Sequence, residues 1–303
     1  MKRAGYILGY LSFWILGHLP FRLQYFISDL FFVVVFHLFR YRRKVAFSNL
    51  RLAFPDKAEK EIRKIAVKFY HHLCDLGLET AISGFLSEKE INRRFSYKNP
   101  EVLENLYHSG KHVIGVGGHY GNWEWTYNMP LIFSHHILGI YKPMNNRWFD
   151  RYFIRTRERF GATTVPMEQV ARELMEGKKN GRLSFAGLVA DQRPIWEHIQ
   201  YWTPFMGTMA PVYLGPEKLA VKLDMAVVFF RVRKIRRGFY ETEMELITAE
   251  PASLPAHAIT ERHVRMLEDQ IREEPAWWLW THRRWKFSYE AYLQYQESKK
   301  QPA

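Results

Sequence analysis

Between residues 111 and 224, short unbroken apolar runs alternate with amphipathic stretches, as strands and helices do when taken in turn. KHVIGVGG (111–118), HILGIYK (136–142), TTVP (163–166) and LSFAGLVAD (183–191) read as strands. NWEWTYNMPLIF (122–133), RWFDRYFIRTRERFG (147–161), MEQVARELMEGKKNG (167–181) and PVYLGPEKLAVKLD (211–224) read as helices, the last kinked at Pro216. Residues 225–247 read as a hairpin turning near Arg237-Gly238, and 258–274 as a closing amphipathic helix. Upstream, Asp56/Glu59 and Ser87/Glu90 have capping-box spacing, and Ile62, Ile65, Phe69, Leu73 and Leu76 mark an amphipathic helix. The expected fold is α/β, a central mixed sheet flanked by helices.

The N-terminus has a different character. AGYILGYLSFWILGHLPF (4–21) is nearly free of charge, and eighteen helical residues span about 27 Å. LQYFISDLFFVVVFHLF (23–39) follows and contains Asp29, then RYRRK (40–44) closes the apolar region. No small-residue cleavage site is present, so this is not read as a signal peptide. The alternative, a pair of buried core helices, is set against a membrane anchor: one spanning or half-inserted helix, then one on the membrane surface. The anchor reading divides the chain into a membrane-associated segment, 1–44, and an α/β catalytic domain, 45–303. The basic closing run favours the cytoplasmic side and anionic headgroups.

The excess of 13 positive charges calls for an acidic partner, and the high aromatic content, 16%, suits both cores and membrane interfaces. One cysteine, Cys74, rules out an internal disulfide and any multi-cysteine metal site.

The most unusual stretch is VIGVGGHYGNWEW (113–125). On a regular helix His119 and Glu124 would diverge, since an offset of five turns through about 500°. If His119 sits in the loop after the strand and Glu124 in the first helical turn, they meet. Gly117, Gly118 and Gly121 permit such a bend, and Asn122 suits the cap. A carboxylate on one ring nitrogen would make the other a better base. Spacing alone leaves open a capping glutamate beside an unrelated histidine.

Five blocks in order resemble the lipid A biosynthesis (lauroyl/myristoyl) acyltransferases, within the wider His-x4-acidic glycerolipid-type acyltransferases. They are RRKVAFSNLRLAFPDK (42–57), GGHYGNWEW (117–125), YKPMNNRWFDRYFIRTRERFG (141–161), VADQRP (189–194) with TPFMG (203–207), and EEPAWWLWTHRRWK (273–286). The resemblance implies acyl transfer from an acyl-carrier-protein thioester to a hydroxyl of an anionic glucosamine-based lipid, on the cytoplasmic face of a bacterial inner membrane. It implies His119 as general base with Glu124 as its orienting partner, and neither a metal nor a cofactor beyond the carrier-bound co-substrate. Arg157, Arg159, Asp191 and Asn122 form the candidate substrate-binding set. Asp191 is followed by Gln192 where other members have His or Tyr, a departure that bears on the acceptor more than on the reaction.

Several residues keep a bland reading. The arginines of RTRERF fit a solvated helix face, Asp191 fits a turn cap, WWLW (277–280) fits core, RKIRRG (233–238) fits a solvated basic hairpin, and His71 and His72 fit structural roles. Arg283 and Arg284 suit either headgroups or carboxylate partners. Three rival functions remain: the same chemistry on an aminolipid, glycolipid or lysophospholipid; a membrane-tethered nucleic-acid-binding protein; and a hydrolase using His119 as a metal ligand, which lacks a second nearby histidine at ligand spacing. No recognisable nucleic-acid module supports the second.

Overall fold

The structure is a computed structural model describing residues 2–300; Met1 and 301–303, the outer ends of the two expected regions, lie outside the described residues. The chain opens with α1 (Lys2–His18) and α2 (Phe21–Phe32), which runs into a π-helical turn, Val33–Leu38. Then come α3 (Arg43–Ala53), α4 (Glu59–Ile82), α5 (Glu88–Arg94), β1 (Phe95–Tyr97), α6 (Glu101–His108) and β2 (Val113–Gly117). A 3-10 segment, Trp123–Leu131, leads to β3 (His136–Tyr141), α7 (Arg147–Glu158), β4 (Thr163–Pro166), α8 (Val170–Lys179) and β5 (Ser184–Val189). The remainder is β6 (Tyr201–Phe205), β7 (Thr208–Val212), α9 (Gly215–Leu223), β8 (Ala226–Arg236), β9 (Phe239–Thr248), α10 (Ala258–Glu273) and α11 (Tyr289–Lys300).

Seven strands form one mixed sheet in the order β1-β9-β8-β2-β5-β3-β4. Only the β8–β9 hairpin pairs antiparallel in it, and it turns at Arg237-Gly238 as its sequence suggests. Central β2 lies parallel to both β5 and β8, so its residues are covered on both sides. Alternate side chains of β2 feed two cores. Ile114 and Val116 pack with Leu50, Phe69, Leu174 and Leu267 from helices on one face. Val113 packs with Ile91, Leu103 and Trp125 on the other. Truncating such a fully buried residue, as in Ile114→Ala, costs about 2–5 kcal/mol.

Local readings are corrected in four places. The stretch 211–224 is the second half of a β6–β7 hairpin followed by α9. The hairpin's tight turn is Met206-Gly207, both with positive φ (51° and 81°). Pro216 lies in the first turn of α9, where its missing N–H costs nothing, so it starts the helix and does not kink it. Residues 123–131 wind as a 3-10 helix containing Pro130, which cannot donate to an α ladder. At the start of α4 the cap position is Ala58, whose N–H donates to Glu61, so Asp56 is not the cap; Ser87 does cap α5. The basic hairpin 233–238 is not simply solvated. Arg237 bridges Asp29 and Asp75, and Lys234 reaches Asp75 and His72, because α2 and α4 bring carboxylates to it.

The N-terminal helices pack against the sheet domain by one side each. Tyr6, Tyr10 and Phe13 of α1 meet Trp148, Phe149 and Tyr152 of α7. The run Phe21–Leu38 is long and apolar enough to cross a membrane, yet α2 turns its polar stripe inward. Gln24 and Ser28 are buried, Ser28 donates to Asp75, and Tyr25 donates to Glu79. Outward point Leu8, Leu11, Trp14 and Ile15 of α1, and Leu23, Phe26, Leu30 and Phe31 of α2. This amphipathicity is inverted relative to a core helix.

Candidate active site

β2 and β5 are neighbouring parallel strands, with Gly117 in register with Val189. Each is followed two residues later by a functional side chain, His119 and Asp191. Open α/β sheets place their sites at such carboxyl ends. Gly118 lets the turn pass close to α10: a Cβ there would stand 2.7 Å from a Leu267 methyl and push that side chain aside. Gly121 adopts a φ of +59°, and a Cβ would meet Val232 at 2.9 Å.

The C-terminal segment clamps this turn. Leu279 N–H donates to His119 O, and Gly121 N–H donates to Trp277 O. Asn49, from the Asn-Leu-x-x-x-Phe-Pro block, donates to the carbonyls of Trp280 and His282 and so pins the clamp. His72 hydrogen-bonds Gly121 O at 3.2 Å, and burial pushes its pKa far down, so the neutral ring donates there through Nε2.

His119 donates from Nδ1 to Asp191 Oδ1 at 2.6 Å. Asp191 Oδ2 accepts from the His119 backbone N–H at 3.0 Å and from Trp278 Nε1 at 2.7 Å. The Asp191 side chain is 2% exposed while the His119 ring is 20% exposed, so solvent and substrate reach the ring but not its carboxylate. Burial favours a protonated Asp191, but the His119 charge and three donors outweigh it and hold the carboxyl at about 2. Burial likewise opposes a charged imidazole, and Asp191, with a smaller contribution from Glu124, overcomes it and raises the His119 pKa. With Nδ1 committed, Nε2 offers its lone pair; Gln192 Nε2 lies 3.3 Å away and donates to it. The Trp123 ring stands edge-on to the imidazole at 4.8 Å.

The expected contact of His119 with Glu124 is therefore corrected: the carboxylate hydrogen-bonded to the imidazole is that of Asp191. Glu124 is taken by Arg157, whose Nε and Nη2 bind its two oxygens at 3.1 and 2.8 Å. The reason is topological, since α7 brings Arg157 beside the 3-10 segment while β5 delivers Asp191 directly behind His119. Arg159 lies outside this constellation and donates to Ser83 O from an exposed position. Asn122 is the cap expected, accepting from Trp125 N–H, but it is fully buried and donates to Glu79, so it has no surface for substrate. Of the terminal arginines, Arg284 is buried and donates to Pro211 O. Trp278 and Trp280 are core, as WWLW suggested, yet Trp278 also holds Asp191. That indole donor, and Glu79 behind the loop, carry no signature in the sequence.

Among the described residues no Ser, Thr or Cys side chain is hydrogen-bonded to His119. Fold and pairing together define an α/β enzyme whose imidazole is held by a buried carboxylate at the ends of parallel strands.

Residues 1–287 match the bacterial lipid A biosynthesis acyltransferase family, and the chain belongs to it. It is an acyltransferase. It is 22% identical over 284 residues to the lipid A biosynthesis acyltransferase of Haemophilus influenzae, covering 91% of this chain and 86% of that protein. It is also 21% identical over 295 residues to the lipid A biosynthesis palmitoleoyltransferase of Escherichia coli, covering 92% and 89%. With the lauroyltransferase of lipid A biosynthesis from Escherichia coli it shares 22% identity over 283 residues, covering 90% and 88%.

Proposed function

We propose that the protein transfers a fatty acyl chain from an acyl-carrier-protein thioester to a hydroxyl of a lipid A precursor, at the cytoplasmic face of a bacterial inner membrane. The observation that carries this reading is the His119–Asp191 pair, which commits Nδ1 and leaves Nε2 as the base. The acceptor hydroxyl displaces Gln192 from Nε2 and gives up its proton as its oxygen attacks the thioester carbonyl carbon. A tetrahedral oxyanion forms. It collapses with breakage of the C–S bond, and the imidazolium returns the proton to the carrier thiolate, so an ester and a free thiol result.

Asp191 keeps the imidazole in the right tautomer and stabilises the imidazolium. Arg157, with its fork occupied by Glu124, has Nη1 left among its donors and offers it to the oxyanion. The inverted apolar stripes of α1 and α2 support seating on a bilayer, with the sheet domain held at the surface.

The test is turnover by purified full-length protein supplied with an acyl-carrier-protein thioester and a lipid A precursor, read as a mass gain of one acyl chain. His119→Ala should lose roughly 10²–10⁴ in rate. Full activity in that variant would end the assignment, and acylation only of a different lipid would redirect the acceptor.

A further inference from the structure

An open pocket lies away from His119. It holds about 840 Å³ and is lined by Arg40, Arg42, Arg43, Lys44, Arg51, Arg63 and Arg283, with Glu59 as the one carboxylate. Glu59 is consumed by Arg51, which binds both its oxygens at 2.9 and 2.6 Å. Arg42 and Arg43 spend a donor each on the carbonyls of Thr281 and Phe36. Arg40, Lys44 and Arg63 have no ion-pair or hydrogen-bond partner for their side chains among the described residues. Six cations left without a carboxylate repel one another, and the fold tolerates the arrangement at a cost that a bound anion would remove.

Two further observations point the same way. Arg40 and Arg42 both adopt left-handed backbone, each with a φ of 49°, although neither is glycine. Such strain persists where surrounding structure imposes it, and it gathers at ligand clamps. Beside the pocket, Leu38, Phe39 and Tyr41 are 71%, 74% and 49% exposed, continuing the outward apolar face of α2. Apolar side chains and a basic pocket at one edge match the layering of a membrane surface, acyl chains next to phosphates.

We propose that this pocket binds the phosphate head group of an anionic bilayer lipid. Leu38 and Phe39 insert among the acyl chains, and the arginines receive the phosphate with directional, charge-assisted bonds. The proposal builds on the membrane-surface reading above and adds a specific site to it. Arg283 O accepts from Arg193, two residues beyond Asp191, so the pocket and the catalytic segment share one wall.

The test is co-flotation of the full-length protein with phosphatidylcholine vesicles, with and without phosphatidylglycerol. The variant is Arg40→Gln, Lys44→Gln, Arg63→Gln. A control removes three exposed cations elsewhere, Arg172→Gln, Lys179→Gln and Lys222→Gln. The pocket variant should lose preference for anionic vesicles on the order of 100-fold, melt no lower than the unaltered protein and still bind through its apolar face. The control should keep most of the preference. An equal loss in both variants, or no loss in the pocket variant, overturns the head-group site. Unchanged lipid preference with a raised KM for the carrier thioester would give the pocket to the carrier protein instead. If the unaltered protein binds neither vesicle, the membrane-surface reading itself fails.

Discussion

Asp191 receives the Nδ1–H of His119 at 2.6 Å although 72 residues separate them, because β2 and β5 lie side by side in parallel register. The pair sets both the tautomer and the basicity of the ring. Asp191→Asn should keep the fold and lower kcat by roughly 10²–10⁴, since the amide presents a donor where an acceptor is needed. Kinetics on a variant with an unchanged melting temperature checks it.

The same pair predicts the pH profile. Asp191 raises the His119 pKa above the ordinary 6.5, and a base acts only when neutral, so activity should rise with pH through that elevated value. Removing the Asp191 charge should move the rising limb of kcat/KM to lower pH. Glu124→Gln should move it less, as Glu124 is the smaller contributor. A larger shift from Glu124→Gln would return the orienting role to that carboxylate.

Arg157 spends its fork on Glu124. Arg157→Ala should therefore lower kcat/KM by similar factors on phosphorylated and dephosphorylated acceptors, with Arg157→Lys intermediate because one donor survives. A loss confined to the phosphorylated acceptor would make Arg157 a phosphate ligand.

Glu79 accepts from Tyr25, Asn122 and Tyr240 and is wholly buried. Burial raises its pKa from 4.5 to about 7, against the pull of Lys234. A raised pKa means stability that is fully present below 4.5 and is lost as pH rises through about 7. Melting curves across that window should fall more steeply for the unaltered protein than for Glu79→Gln, by a few kcal/mol at most. Parallel curves would remove Glu79 as the source.

Membrane seating should be separable from folding. Leu8→Ser, Leu11→Ser, Phe26→Ser and Leu30→Ser alter only outward positions and should shift the protein to the soluble fraction with its melting temperature kept. Deleting residues 1–39 should destabilise it as well, since Asp75 and Arg237 lose Ser28 and Asp29. A deletion as stable as the full chain would show that α2 merely rests on the domain.

The alternation of strands and helices, the β8–β9 hairpin, the apolar N-terminus and the sharp glycine-rich turn at His119 were all legible in the sequence, because period and glycine placement are local properties. Which carboxylate faces the imidazole was not. Glu124 is five positions from His119 and Asp191 is seventy-two, and proximity along the chain favoured the wrong one. Strand order decided it: β5 lies next to β2, and two residues past each strand the side chains converge. The polar stripe of α2 was hidden for the same reason, since Tyr25, Ser28 and Asp29 look like blemishes in an apolar run until Glu79, Asp75 and Arg237 are seen opposite them. Burial makes those long-range partners obligatory, because a polar group removed from water must find its complement wherever the fold supplies one.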